Sequence, residues 1–215
     1  MFNLPKSTEV NKFIPKNAFD TYTNAKQKKL IAEKISRITW NNKISFETVN
    51  LRGSSIEEIQ LFEIVLKQEC DIQSILSIID KSIPYTIIFV MKFGNSSYFS
   101  TSVKHINPHN TDNAVIDYTF TSNWFLNDEY TFKLNLKNDL DWVYKEFCEQ
   151  FASIKGTSKN LQELIVKQKS KDAVEKEIEN LKTSISRSKQ FNKKVELNLK
   201  LKKLERELEI KVNAD

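Results

Sequence analysis

The sequence is poor in the residues that build most recognisable active sites. Its 215 residues include three glycines, four prolines, two cysteines and two histidines. Three glycines cannot furnish a phosphate-cradling loop, and neither GxxxxGK[ST] nor GxGxxG nor a GxSxG elbow occurs. Cys70 and Cys148 lie far apart without Cys-x-x-Cys spacing. That argues against a disulfide framework or a zinc knuckle and suits thiols of a reducing cytosol. The histidines, His105 and His109, fall in HINPH. Their i, i+4 spacing would share a helical face, but Pro108 between them points to a loop rather than a metal pair. Acid–base chemistry would then fall to carboxylates, lysine or tyrosine. No apolar run approaches the roughly 20 residues that span a bilayer. The opening MFNLPKSTEV, with proline at position 5, has no apolar signal-peptide region. The expectation is a soluble cytoplasmic protein with no metal, no cofactor and no membrane partner.

What is present is an ordinary core and an uneven charge. The length suits one domain plus an appendage, and the scarcity of glycine and proline argues against a disordered linker. The formal net charge is +5. Residues 1–157 carry 18 Lys+Arg against 18 Asp+Glu, whereas residues 158–215 carry 15 against 10. A balanced body therefore precedes a basic tail. That tail reads either as a solvated charged helix or as an electrostatic handle for nucleic acid or an acidic partner.

Periodicity predicts the elements. Residues 1–23 read as an extended arm held by Phe2, Phe13, Ile14 and Phe19. NAKQKKLIAEKISRI brings Leu30, Ile31, Ile35 and Ile38 round at helical spacing, with Trp40-NNK as a stop and turn. ISFETVNL (44–51) alternates like a strand, and RGSS turns the chain. IEEIQLFEIVLK (56–67) reads as a strand from its β-branched and aromatic content. Asp71 can cap a helix carrying Ile72, Ile75, Leu76 and Ile79. IPYTIIFVMKF (83–93) reads as a central strand buried on both faces, and Gly94-Asn95 as a tight hairpin into SSYFSTSVKH. Further strands are expected at AVIDYTF (114–120) and EYTFKLNL (129–136), and a helix after Asn138 or Asp139. KGTS (155–158) marks a boundary. The fold class is α+β: a mostly antiparallel mixed sheet with flanking helices over 1–157, then a basic helical or coiled-coil tail over 158–215.

The body offers little chemistry. Many metal-dependent nucleases carry an (Asp/Glu)-x-Lys triplet on a strand, but the match here, Glu209-Ile210-Lys211, lies in the tail. Glu63, mid-strand between Phe62 and Ile64, is the catalytic suspect, with Lys67 two pleats on. The same glutamate reads more readily as the polar face of a half-exposed strand. The aromatics Tyr98, Phe99, Tyr118, Phe120, Trp124, Phe125, Tyr130 and Phe132 could stack nucleobases. Without interleaved basic residues they read as core.

Four phrases occur together: NLPKST-x-VNK-x-IPK, EIQLFEI-x-LK, DK-x-IPY-x-IIFV and KQFNKKVELN-x-x-LKKL-x-x-EL. As a set spanning essentially the whole chain, they resemble an uncharacterised bacterial family of unknown function. Its members are typically encoded near a helicase and a DNA methyltransferase in restriction-like or mobile-element loci. The resemblance implies a setting of DNA modification or defence. It implies no reaction, and no family catalytic residues come with it.

The tail holds the remaining signal. Val174, Ile178, Leu181 and Ile185 form a helical stripe that Phe191, Val195 and Leu199 continue, with Asn192 inside it. A polar residue at such a position sets coiled-coil register or partner number. Leu197, Leu201, Leu204, Leu208 and Val212 form a second stripe on roughly the opposite side. The tail is thus either one helix with two contact faces or a helix that breaks and folds back. Arg187, Lys189, Lys193, Lys194, Lys200, Lys202 and Lys203, against Glu196 alone, are candidates for nucleic-acid or partner contact. Three functions fit: a non-enzymatic assembly subunit docking on a helicase, a methyltransferase or a second copy; a direct nucleic-acid binder; or a divergent metal-dependent nuclease.

Overall fold

The computed structural model describes residues 2–108, 114–129, 131–152, 154 and 158–213. The chain forms two compact units, Met1–Phe151 and Ala152–Asp215. The first is built on a seven-stranded sheet: β1 (Glu9–Ile14), β2 (Ile35–Ser45), β3 (Glu58–Leu66), β4 (Thr86–Phe93), β5 (Ser96–Ile106), β6 (Ala114–Thr121) and the short β7 (Phe125–Leu126). The order is β1-β2-β3-β4-β5-β6, with β7 also on β5. All pairs are antiparallel except β3 and β4, which are parallel. A parallel pair needs a crossover, supplied by α3 (Gln73–Ser82). The α+β class with a mostly antiparallel mixed sheet and a long C-terminal helical region is what the patterning predicts.

Alternation along β3 divides the core. Phe62, Ile64 and Leu66 join Ile35, Ile38, Phe89 and Met91 under Ile75, Leu76 and Ile79 of α3. The opposite face carries α4 (Leu140–Glu149), where the Tyr144 hydroxyl lies 2.8 Å from Thr101 Oγ1. Phe99 centres an aromatic cluster there, with Phe2, Phe132 and Phe147 at ring-centroid distances of 5.4, 5.2 and 5.8 Å. These aromatics pack against one another, as expected of a small core. Tyr130 lies outside the described residues.

Several local expectations are corrected. The first helix, α1 (Ala25–Lys34), has its expected start, a reciprocal cap between Asn24 and Gln27. It stops four residues short of Ile38, however, because Ile35–Ser45 pairs with β3 along its length. The supposed stop at Trp40 is mid-strand. Pairing and β-branched packing outweigh the helical spacing here. The arm is not merely extended: β1 is an edge strand. Phe19 is buried, but Phe13 is 58% exposed. ISFETVNL is not a strand beyond Ser45. Phe46–Val49 forms a helical turn, α2, in which Thr48 Oγ1 accepts from Ser45 N at 2.9 Å and Asn50 closes at φ 55°. The described part of EYTFKLNL forms no strand. Its Lys133 backbone is instead held on both sides by the Gln150 side chain, at 2.8 and 2.7 Å, so one amide takes the place of a neighbouring strand.

Two glycines matter. Gly94 turns β4 into β5 at φ +56°, a conformation costly for other residues. Gly53 sits where the Arg52–Ser55 loop wraps the Asp141 carboxylate, which accepts from the Ser54 and Ser55 amides. A Cβ at Gly53 would collide with the Ile56 carbonyl and sit 2.8 Å from Asp141 Oδ2. Gly53→Ala is expected to cost about 1–3 kcal/mol by overpacking, read as a lowered urea midpoint with unchanged slope.

The second unit contains α5 (Leu161–Arg187) and α6 (Phe191–Asn213), joined through Ser188–Gln190. The helix therefore breaks. Lys200 pairs with Glu177 at 2.8 Å, and Lys211 Nζ donates to Ser170 Oγ at 2.6 Å. The two helices consequently run antiparallel as a hairpin. Asn160 caps α5, and Glu163 accepts from Lys159 N and pairs with Lys167. Those partners, the Lys167 side chain first, hold the Glu163 carboxyl below its ordinary range. A depressed carboxyl contributes stability that is present above its unfolded pKa and is lost as pH falls through the lower folded value. Helix content followed by circular dichroism below pH 4.5 should therefore fall less in Glu163→Gln than in the parent chain, measured from each chain's own neutral-pH value. The Gly156 boundary lies outside the described residues.

Candidate functional site

On the sheet, Glu63 projects from β3 on the face opposite Phe62 and Ile64. It is not an open carboxylate. Lys92 Nζ of β4 lies 2.6 Å from Oε2, Arg37 Nη2 of β2 lies 3.7 Å from Oε1, and Asn41 Nδ2 approaches Oε2 at 3.4 Å. The cluster borders a cavity of about 80 Å3 shared with Phe2, Asn42 and Leu61. Both carboxylate oxygens are engaged, so an incoming ligand would have to displace Lys92. The arrangement ties three strands together electrostatically.

Lys67 does not join Glu63. The strand ends at Leu66, and the Lys67 ammonium donates to the Ala32 carbonyl at 2.7 Å, near the C-terminal end of α1. A cation there suits the negative end of the helix dipole. The cation that meets Glu63 is Lys92, which sequence reasoning missed. The two are 29 positions apart, and only strand pairing joins them. His105 closes β5, with Nδ1 2.9 Å from Asp117 Oδ2 of β6; His109 lies outside the described residues. Among the described residues no group of three or more His, Cys, Asp or Glu could hold a metal ion. No helix among them is long and apolar enough to cross a membrane.

The other candidate surface is α6. Val174, Ile178 and Leu181 of α5 are buried, and Leu197, Leu201, Leu204 and Leu208 of α6 are half-buried. These are the inward stripes of the hairpin. The proposed continuation of the α5 stripe through Phe191, Val195 and Leu199 is not formed, because the chain reverses between Ile185 and Phe191. Those three residues lie on the outer face of α6, 78%, 44% and 66% exposed. Asn192 lies beside them, exposed rather than within the hairpin's own seam. Farther along, Lys202, Lys203 and Arg206 follow on the same outward side.

Of the seven basic residues singled out, Lys200 is spent on Glu177. Arg187, Lys189, Lys193, Lys194, Lys202 and Lys203 make no ion pair among the described residues. All but Arg187 belong to α6 or its entry. On a rod about 35 Å long, helical spacing thus places the apolar strip with Lys202, Lys203 and Arg206 farther along the same side, whereas Lys193 and Lys194 flank the inward leucines.

No curated protein and no solved structure matches the chain. One family model does, over residues 2–208, covering the sheet, α5 and most of α6. The chain therefore belongs to the family described as Domain of unknown function (DUF4391).

Proposed function

We propose that the chain is a non-enzymatic assembly subunit of a bacterial DNA-modification or phage-defence type system. It docks through α6 on a larger DNA-processing partner, a helicase or DNA methyltransferase of the same locus. The observation supporting this is the outer face of α6, where Phe191, Val195 and Leu199 stand exposed beside unpaired lysines. An exposed apolar strip with a charged border is the usual anatomy of an interaction surface. The test is co-expression with the helicase and methyltransferase encoded beside it. The tagged chain is expected to retain one of them. Phe191→Ser combined with Leu199→Ser should lose that partner while melting like the parent. A parent chain that elutes alone overturns the reading. Asn192 lies among these residues and would set register against a helix of the partner. Asn192→Leu should therefore change partner retention or oligomeric state in light scattering more than it changes stability.

A second reading is supported by the cations themselves. Six basic side chains without ion-pair partners among the described residues suit phosphate neutralisation, and the hairpin would then hold DNA or RNA directly through α6, its entry and Arg187. A mobility shift at low salt separates this from docking on protein.

A further inference from the structure

Along the outer face of α6 the side chains follow an order. Phe191, Val195 and Leu199 come first, then Lys202, Lys203 and Arg206, and Ile210, 70% exposed, closes the row. From Phe191 to Ile210 the row runs about 28 Å. The three cations are exposed and make no ion pair among the described residues. The acids closest to them in sequence are turned elsewhere: Glu205 pairs with Lys182 of α5, and Glu207 with Lys211. Glu196 and Glu209 lie at the edges of the row. A phosphate backbone would meet the three cations but leave the apolar residues on both sides of them in water. Lys193 and Lys194, which it would also need, lie off the row. A second copy of the chain fits no better. In the parallel alignment each cation faces itself. The antiparallel alignment that lays Phe191 on Ile210 sets Lys202 beside Lys202 and Arg206 on Val195. The one that lays Val195 on Val195 brings Lys203 to Arg187. Like charges so placed, or a charge set on an apolar side chain, oppose association.

We infer, resting on the docking proposed above, that α6 receives a helix of the partner protein that is acidic in its middle and apolar at both ends. Two or three Asp or Glu side chains of that helix lie over Lys202, Lys203 and Arg206. Apolar side chains at three- and four-residue spacing lie over Phe191, Val195 and Leu199 on one side of the acids and over Ile210 on the other. One amphipathic helix of about 20 residues covers the whole row and turns its exposed apolar surface into a packed seam. Its carboxylates supply the negative charge that the hairpin's own glutamates, turned elsewhere, do not, and the Arg206 fork can take one of them bidentately.

The test uses the full chain co-expressed with the helicase and methyltransferase encoded beside it. Lys202→Glu combined with Arg206→Glu should melt like the parent, since neither residue makes an ion pair among the described residues, and should cut partner retention at least about tenfold. A carbodiimide, which condenses an ammonium with a carboxylate in contact, should join Lys202 or Lys203 of the parent chain to Asp or Glu of one partner segment, located by mass spectrometry. Changing those acids to lysine should restore retention of the doubly reversed chain. A doubly reversed chain that keeps the partner as the parent does, or a complex with no carbodiimide link from Lys202 or Lys203, overturns the acidic helix. Docking itself then still stands where Phe191→Ser with Leu199→Ser releases the partner. Retention that nuclease treatment abolishes assigns the row to nucleic acid. A dimer of the chain alone in light scattering that Leu199→Ser dissolves assigns it to a second copy. Either result overturns the proposal. A parent chain that elutes alone removes the docking reading and this inference with it.

Discussion

Lys104→Met is expected to destabilise the protein by about 3–5 kcal/mol, the cost of stranding a buried charge. Lys104 and Asp80 are 4% and 2% exposed at their side chains and lie 2.7 Å apart. The same ammonium donates to the Asp80 carbonyl at 2.6 Å and to the Ile83 carbonyl at 2.7 Å. It therefore uses all three donors, and two of them serve carbonyls at the end of α3. Burial pushes the Asp80 carboxyl up and the Lys104 ammonium down, each against the pull of its partner. Removing the lysine leaves a carboxylate with no water and no cation, as well as unsatisfied carbonyls. Urea unfolding measures the loss. The double variant with Asp80→Asn should lie between parent and single variant, because it removes the stranded charge but not the unmet carbonyls. A single variant within about 0.5 kcal/mol of the parent, the range of ordinary surface substitutions, would show that the pair is open to water.

Replacing Lys193, Lys194, Lys202 and Lys203 with alanine is expected to abolish any nucleic-acid shift at 50 mM salt. If these four meet phosphates, affinity should fall about 150-fold between 50 and 200 mM salt, from a log–log slope of about −3.6. None of the four is needed to hold the hairpin, whose seam is apolar and whose cross-helix polar pairs are Lys182–Glu205, Lys200–Glu177 and Lys211–Ser170. The variant should therefore melt like the parent, making the loss electrostatic. A parent chain that gives no shift at 50 mM ends direct binding. It leaves protein docking standing, because that rests on Phe191, Val195 and Leu199.

The elements read best from sequence were those whose pattern and partners agree. β3, β4 and the Gly94 turn were legible because a continuous apolar run and a positive-φ residue leave few alternatives. α4 was legible through its Asp139 cap, which accepts from Trp142 N at 2.8 Å. β2 was not, because Ile35 and Ile38 satisfy a helical repeat as well as a strand until β3 is placed beside them. The hairpin break carries no glycine or proline. A signal was available in TSISRS (183–188), where Ser184 and Ser186 hydroxyls turn back onto the Asn180 and Thr183 carbonyls. Such back-bonding weakens a helix.

Composition and periodicity were enough to establish the α+β class and the charge-rich helical tail. These depend on local repeats that the chain carries wherever it is. Partnership was beyond them. Glu63 meets Lys92 instead of Lys67, and Lys200 meets Glu177 across the hairpin. Each of these depends on strand register or chain reversal, which bring together residues tens of positions apart, and no spacing rule reaches that far.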